Sequence, residues 1–249
     1  MSSSPYPARQ LLLLSNSTLH PGGYLEYAQG YIKDFLGRSA VKKVLFVPFA
    51  LRDHQGYTDK VKAALGPWGF QVEGLHDFAD KCQAVNSAQA IFIGGGNTFQ
   101  LLKGLYDFQV LEAIRSRVLD HGIPYMGSSA GTNVSTKSIH TTNDMPIVFP
   151  PSFEALNLVP FNINPHYLDT DPNSTHKGET REERIRQYQQ VPGVPPVVAL
   201  REGSLLEVTG DHAILKGQLE ALLFRGDAEP RSYPTGTDFG FLFQELKAQ

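Results

Sequence analysis

A serine hydroxyl with small neighbours is the first candidate for chemistry in this chain. The pentapeptide Gly127-Ser128-Ser129-Ala130-Gly131 follows an apolar segment, and only its second serine has a glycine two residues away on each side. This G-x-S-x-G spacing is typical of a sharp strand-to-helix turn that exposes the serine hydroxyl. A helix beginning behind the serine would favour developing negative charge. The pattern predicts a nucleophile at Ser129, although a glycine-rich turn that binds a phosphate, or nothing, has the same spacing.

Three consecutive glycines, residues 94–96, follow another apolar segment. Glycines leave backbone N–H groups uncovered, and such groups can stabilise the oxyanion that forms when a serine attacks a carbonyl. The N–H of Ala130, the residue after the candidate nucleophile, is the natural second donor. A nucleotide-phosphate loop is the competing interpretation, but the segment lacks the G-x-G-x-x-G spacing and the lysine of a P-loop. The sequence therefore favours an oxyanion hole.

A nucleophilic serine needs a general base, which is most often histidine. Of the eight histidines, His166 lies downstream of the serine and just after an apolar, strand-like segment. The others stand in polar or turn-like surroundings that are typical of a protein surface. We expect His166 to be the base, while its position alone also suits a packed or surface histidine.

Two carboxylates are candidates for orienting that histidine. Asp144 would give the chain order serine, aspartate, histidine that α/β-hydrolases use. Glu202 would give the order serine, histidine, glutamate, and it stands at the end of an apolar strand from which a carboxylate can project into a site. The residues alone leave the choice open, because each could also be a solvated surface carboxylate.

Composition limits the class of protein that carries these residues. The chain has 249 residues, of which 41% are hydrophobic, and a formal net charge of −3, so there is no basic excess for a nucleic-acid partner. Cys82 is the only cysteine, which excludes an intrachain disulfide or a cysteine-rich metal site and fits a reducing compartment. The apolar run at residues 11–14 is too short to span a bilayer, and no cleavage site follows it. We expect a cytoplasmic protein without membrane association.

The elements that must position these side chains alternate between strands and helices. Apolar runs of strand length occur at residues 11–14, 44–47, 70–75, 90–93 and 124–126. Helical spacing of apolar residues occurs at 24–36, 57–65 and 111–119, and a charged helix is predicted at 179–191. Further strands are predicted at 197–200, 205–208 and 213–215, the last two joined as a hairpin. This pattern predicts an α/β fold with a mostly parallel central sheet flanked by helices, in a single domain over residues 1–249.

Taken together, these segments resemble dipeptidase E, the alpha-aspartyl dipeptidase family (peptidase family S51). The resemblance covers most of the chain and rests on an ordered set of motifs. They are residues 11–18 (LLLLSNST), 94–103 (GGGNTFQLLK), 129–131 (SAG), 141–148 (TTNDMPIV), 163–166 (INPH), 176–182 (HKGETRE) and 202–203 (EG). The resemblance implies a fold related to the class I glutamine amidotransferases.

The resemblance also assigns roles to individual residues. It implies a nucleophile, a base, two candidates for the orienting carboxylate, two oxyanion donors and an arginine that grips the substrate aspartate: these are Ser129, His166, Glu202 or Asp144, Gly96 with Ala130, and Arg181. Of the two carboxylates we favour Glu202. The sequence departs from the family at Ser128, where some bacterial members carry tryptophan, which leaves the shape of the pocket wall open.

The function implied is that of a serine peptidase that hydrolyses dipeptides with an N-terminal aspartate, through an acyl-enzyme. No metal or other cofactor is expected, because no H-E-x-x-H or comparable ligand cluster occurs. A cyanophycinase-like hydrolase is an alternative, disfavoured because no extra segments for a substrate groove are present. A catalytically silent binding protein on the same scaffold is another, disfavoured because serine, histidine and carboxylate are all retained. A glutamine amidotransferase would need cysteine at position 129. The oligomeric state is left open.

Overall fold

The computed structural model describes residues 9–171, 173, 175 and 178–245. Its strands, in chain order, are β1 (Gln10–Leu14), β2 (Lys43–Val47), β3 (Gln71–Gly74), β4 (Ile91–Ile93), β5 (Tyr125–Ser128), β6 (Asn162–Tyr167), β7 (Val197–Arg201), β8 (Leu205–Thr209), β9 (His212–Lys216), β10 (Ala221–Phe224) and β11 (Arg231–Tyr233). Its α-helices are α1 (Gln29–Arg38), α2 (His54–Leu65), α3 (Lys81–Ser87), α4 (Thr98–Asp107), α5 (Leu111–Leu119), α6 (Ala130–Asn133), α7 (Arg181–Gln189) and α8 (Phe241–Glu245).

Two sheets organise this part of the chain. The larger sheet has the strand order β3-β2-β4-β5-β1-β8-β9. Its first five strands are parallel, and β8 and β9 are added antiparallel at one end. The smaller sheet has the order β11-β10-β7-β6, with only β6 and β7 parallel to each other. The predicted α/β class with a mostly parallel central sheet is confirmed, whereas the second sheet was not predicted.

Strand β1, a continuous apolar run, is an interior strand of the larger sheet and is buried on both faces. It lies between β5 and β8, and all four of its leucines, residues 11–14, are fully buried. Leu11 and Leu13 pack into one hydrophobic cluster, and Leu12 and Leu14 pack into another on the opposite face. Because side chains alternate along a strand, a strand covered on both faces needs apolar residues at every position.

The two sheets share one of these hydrophobic clusters. Ile163 of β6 and Val198 of β7 belong to the same cluster as Leu11 and Ile93 of the larger sheet. A shared core favours the single domain expected from the sequence, which stays a prediction. None of the helices in the described residues is long and apolar enough to cross a membrane.

The charged helix predicted at 179–191 begins two residues later than expected, at Arg181. Thr180 is its N-cap: the Thr180 hydroxyl accepts the Glu183 N–H, and the Glu183 carboxylate accepts the Thr180 N–H. This reciprocal capping box fixes where the helix starts. It therefore places Arg181, which is predicted to bind the substrate aspartate, at the first helical position.

Candidate active site

The backbone at Ser129 has the strained geometry of a nucleophile elbow. Ser129 follows β5 directly and precedes α6, with φ 53° and ψ −110°, an uncommon region for a residue with a side chain. Its N–H donates to the carbonyl oxygen of Leu14 at 3.1 Å, which ties the turn to β1. A Cβ on Gly131 would lie 2.0 Å from the carbonyl oxygen of Ile93, so no larger residue fits there. Close backbone packing therefore holds the serine hydroxyl above the sheet edge.

The glycine segment after β4 lies against this elbow. A Cβ built on Gly95 would stand 3.0 Å from the Cβ of Ser129. Gly96 has φ 130°, and a Cβ there would lie 2.5 Å from the carbonyl oxygen of Ala50, so glycine is required on both grounds. The N–H of Ala130 belongs to the first residue of a helix and has no intrahelical acceptor. The two backbone segments predicted to supply oxyanion donors are thus brought together beside Ser129.

His166 lies in line between the serine and a carboxylate. Its Nε2 is 2.9 Å from the Ser129 Oγ, and its Nδ1 is 2.6 Å from the Glu202 Oε1. An ionised carboxylate can only accept hydrogen bonds, so Nδ1 carries the proton and Nε2 is left to accept from the serine hydroxyl. The histidine and glutamate side chains are 38% and 53% exposed. Serine hydrolases use this arrangement of three groups.

Ser15 and Asn16, which directly follow β1, accept hydrogen bonds from the backbone at His166 and at the residue after Glu202. The Ser15 Oγ accepts the His166 N–H at 2.9 Å and donates to the Leu200 carbonyl oxygen at 2.8 Å. The Asn16 Oδ1 accepts the Gly203 N–H at 2.9 Å, next to Glu202 in the chain. Both side chains are buried. No role was predicted for them from the sequence, although two polar residues that follow a fully apolar strand, at the sheet edge that carries the candidate nucleophile, are the signal that could have identified them.

Asp144, the other carboxylate considered, has different partners. Its Oδ2 accepts the Thr98 N–H at 2.7 Å and the Thr98 hydroxyl at 2.6 Å, and lies 3.2 Å from the Thr142 hydroxyl. Thr98 is the first residue of α4, so the carboxylate sits at a helix N-terminus, where negative charge is stabilised. The structure thus brings Glu202, and not Asp144, into contact with His166.

A cleft of about 600 Å³ opens from Ser129 and His166, and Asp144 and Arg181 also line it. Within the described ranges, no carboxylate lies within 4 Å of the Arg181 guanidinium. Burial lowers the pKa of Arg181, and nearby Arg184 acts in the same direction. The second arginine of the cleft, Arg201, is already paired: its Nε and Nη2 each donate to Asp169 at 2.7 Å.

Two residues of the motif at 176–182, His176 and Lys177, lie outside the described residues. Arg181, which is predicted to bind the substrate aspartate, lines this cleft and has no carboxylate partner in the described part of the chain.

The chain belongs to peptidase family S51: residues 11–216 match the model of this family. It is 57% identical to a protein named "Probable alpha-aspartyl dipeptidase" from Drosophila melanogaster, over 96% of this chain and 99% of that protein. It is 53% identical to "Peptidase E" of Streptomyces coelicolor, over 93% of this chain and 94% of that protein. These findings confirm the resemblance and the hydrolase class expected from the sequence.

Solved structures agree with the fold. A putative Peptidase E protein from Listeria monocytogenes superposes with a TM-score of 0.65 at 24% identity, covering 84% of this chain and 98% of that one. A peptidase from an acI-B1 Actinobacterium superposes with a TM-score of 0.71 at 16% identity, covering 94% and 97%. At such identities the comparison supports the α/β architecture alone.

Proposed function

We propose that this chain is a serine dipeptidase that hydrolyses dipeptides with an N-terminal aspartate, with Ser129 as nucleophile. The observation that carries the proposal is the line from the Glu202 carboxylate through His166 to the Ser129 Oγ, with contacts of 2.6 and 2.9 Å. The names of the relatives, alpha-aspartyl dipeptidase and Peptidase E, support the substrate class.

In the proposed reaction, the Ser129 oxygen attacks the carbonyl carbon of the aspartyl residue while His166 Nε2 takes the hydroxyl proton. The carbonyl oxygen becomes an oxyanion, which the N–H groups of Gly96 and Ala130 stabilise. The tetrahedral intermediate then breaks its C–N bond, and the imidazolium gives its proton to the leaving amine. Water, deprotonated by His166, hydrolyses the resulting ester and restores the serine. Glu202 keeps the imidazole in the required tautomer and stabilises the imidazolium.

Two charged groups of the 600 Å³ cleft suit the two charges of an N-terminal aspartate. Arg181 can pair bidentately with the side-chain carboxylate, because its planar guanidinium matches that geometry. Asp144 suits the free α-ammonium group: its Oδ2 is held by Thr98, and the carboxylate faces the same cleft. We propose that these two residues select the substrate and that neither takes part in the proton transfers.

A cytosolic location remains part of the proposal. Its support is compositional, since Cys82 is the only cysteine and the described chain forms no disulfide.

Substitution of Arg181 tests the substrate assignment. We expect Arg181→Met and Arg181→Lys to lower kcat/KM for an Asp-X dipeptide by about a hundredfold, because methionine removes the charge and lysine removes the bidentate fork. The Met variant should also lose its preference for Asp-X over a matched Asn-X dipeptide. Ser129 should still react with a small fluorophosphonate in both variants.

Arg184 provides the matched control, because it lies on the same helix, is exposed, and is near Glu179. Arg184→Met should keep the wild-type ratio of Asp-X to Asn-X. An unchanged ratio of Asp-X to Asn-X cleavage in Arg181→Met would show that another residue binds the aspartate side chain. Failure of wild-type protein to react with fluorophosphonate or to cleave any Asp-X dipeptide would instead support a catalytically silent binding protein.

A further inference from the structure

A second cleft, of about 450 Å³, is lined by the same two proposed catalytic residues but otherwise by different side chains. Ser129 and His166 line both clefts, but Arg181 and Asp144 line only the first. The second cleft includes Gly96 of the glycine segment, and its one lysine is Lys60 among the described residues that line it. A peptide whose carbonyl carbon lies at Ser129 can therefore extend into a separate space on each side of the scissile bond.

Lys60 is held at this cleft by a series of aromatic rings. Its Nζ lies 4.5 Å from the centroid of the Tyr24 ring, within the range of a cation–π contact. The Tyr24 ring meets the Tyr57 ring edge-on at 6.4 Å, and Tyr57 in turn packs edge-on against the buried Phe46 at 4.9 Å. Although Lys60 is exposed on α2, its ammonium group is thus placed over a surface anchored in the core.

The charge of Lys60 is available to a ligand. No carboxylate of the described chain lies within 4 Å of its Nζ, whereas Lys62, two residues further along the helix, pairs with Asp59 at 3.5 Å. Asp53 also lines the cleft, but its Oδ1 accepts the Gly56 N–H at 2.9 Å as the N-cap of α2. Burial raises the pKa of the Tyr24 and Tyr57 hydroxyls, so both stay neutral near pH 7.

We propose that Lys60 binds the C-terminal carboxylate of the residue that leaves when the peptide bond is cut. The inference rests on the proposed function: with the aspartyl residue in the cleft of Arg181, the leaving residue must occupy the cleft of Lys60. In a dipeptide that residue is a free amino acid on departure, and only its Cα separates its carboxylate from the scissile nitrogen. A longer or amidated peptide places no charge there. Lys60 thereby favours dipeptides, independently of the reading of aspartate.

A pair of peptides that differ only at the C-terminus tests this assignment. For Asp-Leu, Lys60→Gln should lower kcat/KM by about threefold to fivefold, mainly through KM, because water screens the interaction of an exposed cation. For Asp-Leu-amide, which has no terminal carboxylate, the same variant should match wild type. Lys60→Arg keeps the charge and should retain most of the preference for the free carboxylate.

Lys62→Gln is the matched control, since it removes a neighbouring exposed charge on the same helix and should change neither peptide. The assignment to Lys60 is overturned if Lys60→Gln leaves the ratio of the two peptides at its wild-type value, whether both rates fall or neither does. It is also overturned if wild-type protein cleaves the amide as well as the acid. Cleavage of neither peptide by wild-type protein would overturn the proposed function, and this inference with it.

Discussion

The proposed nucleophile and the proposed base are built on different sheets and held in place by different interactions. Ser129 and the glycine segment at 94–96 lie at the carboxyl ends of β5 and β4 in the larger sheet. His166 and Glu202 come from β6 and from the residue after β7 in the smaller sheet. Both Ser129 and His166 have positive φ, 53° and 54°, which costs about 1–3 kcal/mol for a residue with a side chain.

The difference lies in what offsets that strain. At Ser129, backbone packs closely against backbone. A Cβ on Gly131 would lie only 2.0 Å from the Ile93 carbonyl oxygen. At His166, the register between β6 and β7 shifts between Asn164 and Tyr167, and the Ser15 hydroxyl holds the His166 N–H. The proposed nucleophile is thus held mainly by close backbone packing, with one backbone hydrogen bond to Leu14, and the proposed base by a side-chain hydrogen bond. Substitutions on the two sides should therefore fail in different ways.

The largest expected effect is on the nucleophile side. Ser129→Ala should lower kcat by a factor on the order of 10⁴ or more and leave the melting temperature near the wild-type value, because the hydroxyl does chemistry and fixes no packing. The measurement is hydrolysis of an Asp-X dipeptide alongside thermal unfolding.

Ser128→Ala is the matched control for that experiment. Ser128 is fully buried, and within the described residues its hydroxyl has no hydrogen-bond partner. The variant should therefore retain most of the wild-type activity and be at least as stable as wild type. An inactive Ser128→Ala with an active Ser129→Ala would reverse the assignment of the elbow.

A smaller loss is expected at the carboxylate that contacts the base. Glu202→Gln should lower kcat by about 10³-fold: an amide can donate to Nδ1, which stabilises the wrong tautomer, and it cannot stabilise the imidazolium. Asp144→Asn should instead raise KM for Asp-X by about tenfold with a smaller change in kcat, since it removes the charge that attracts the substrate ammonium and that the N-terminus of α4 stabilises. A larger kcat loss in Asp144→Asn than in Glu202→Gln would return the orienting role to Asp144.

The same contrast explains how much could be predicted from the sequence. The larger sheet follows from local patterns, because runs such as residues 11–14 are buried on both faces and the glycines of the elbow are imposed by contacts at the turn itself. His166 was selected from the residues, but its contacts with Ser129 and Glu202 join positions 37 and 36 residues apart. Spacing does not encode contacts that depend on how two sheets pack. Arg181 was found through the family resemblance alone, since one arginine in a charged helix carries no local signal.

Ser15 provides the test that is most specific to the base side. Its hydroxyl links the His166 N–H to the Leu200 carbonyl oxygen in a fully buried position, so Ser15→Ala leaves both groups without that partner. We expect a stability loss of about 1–3 kcal/mol. If Ser15 positions the base, kcat should also fall, by about ten- to hundredfold, with KM unchanged, because a displaced imidazole affects proton transfer and not substrate binding.

Ser135→Ala is the control: it removes an equally buried hydroxyl, which donates to the Thr132 carbonyl oxygen at 2.7 Å and has no contact with His166. It should cost less stability than Ser15→Ala, because the Thr132 carbonyl oxygen still accepts the Ser135 N–H, and it should leave kcat unchanged. Equal kcat in the two variants, measured well below their melting temperatures, would show that Ser15 supports the fold and does not position His166.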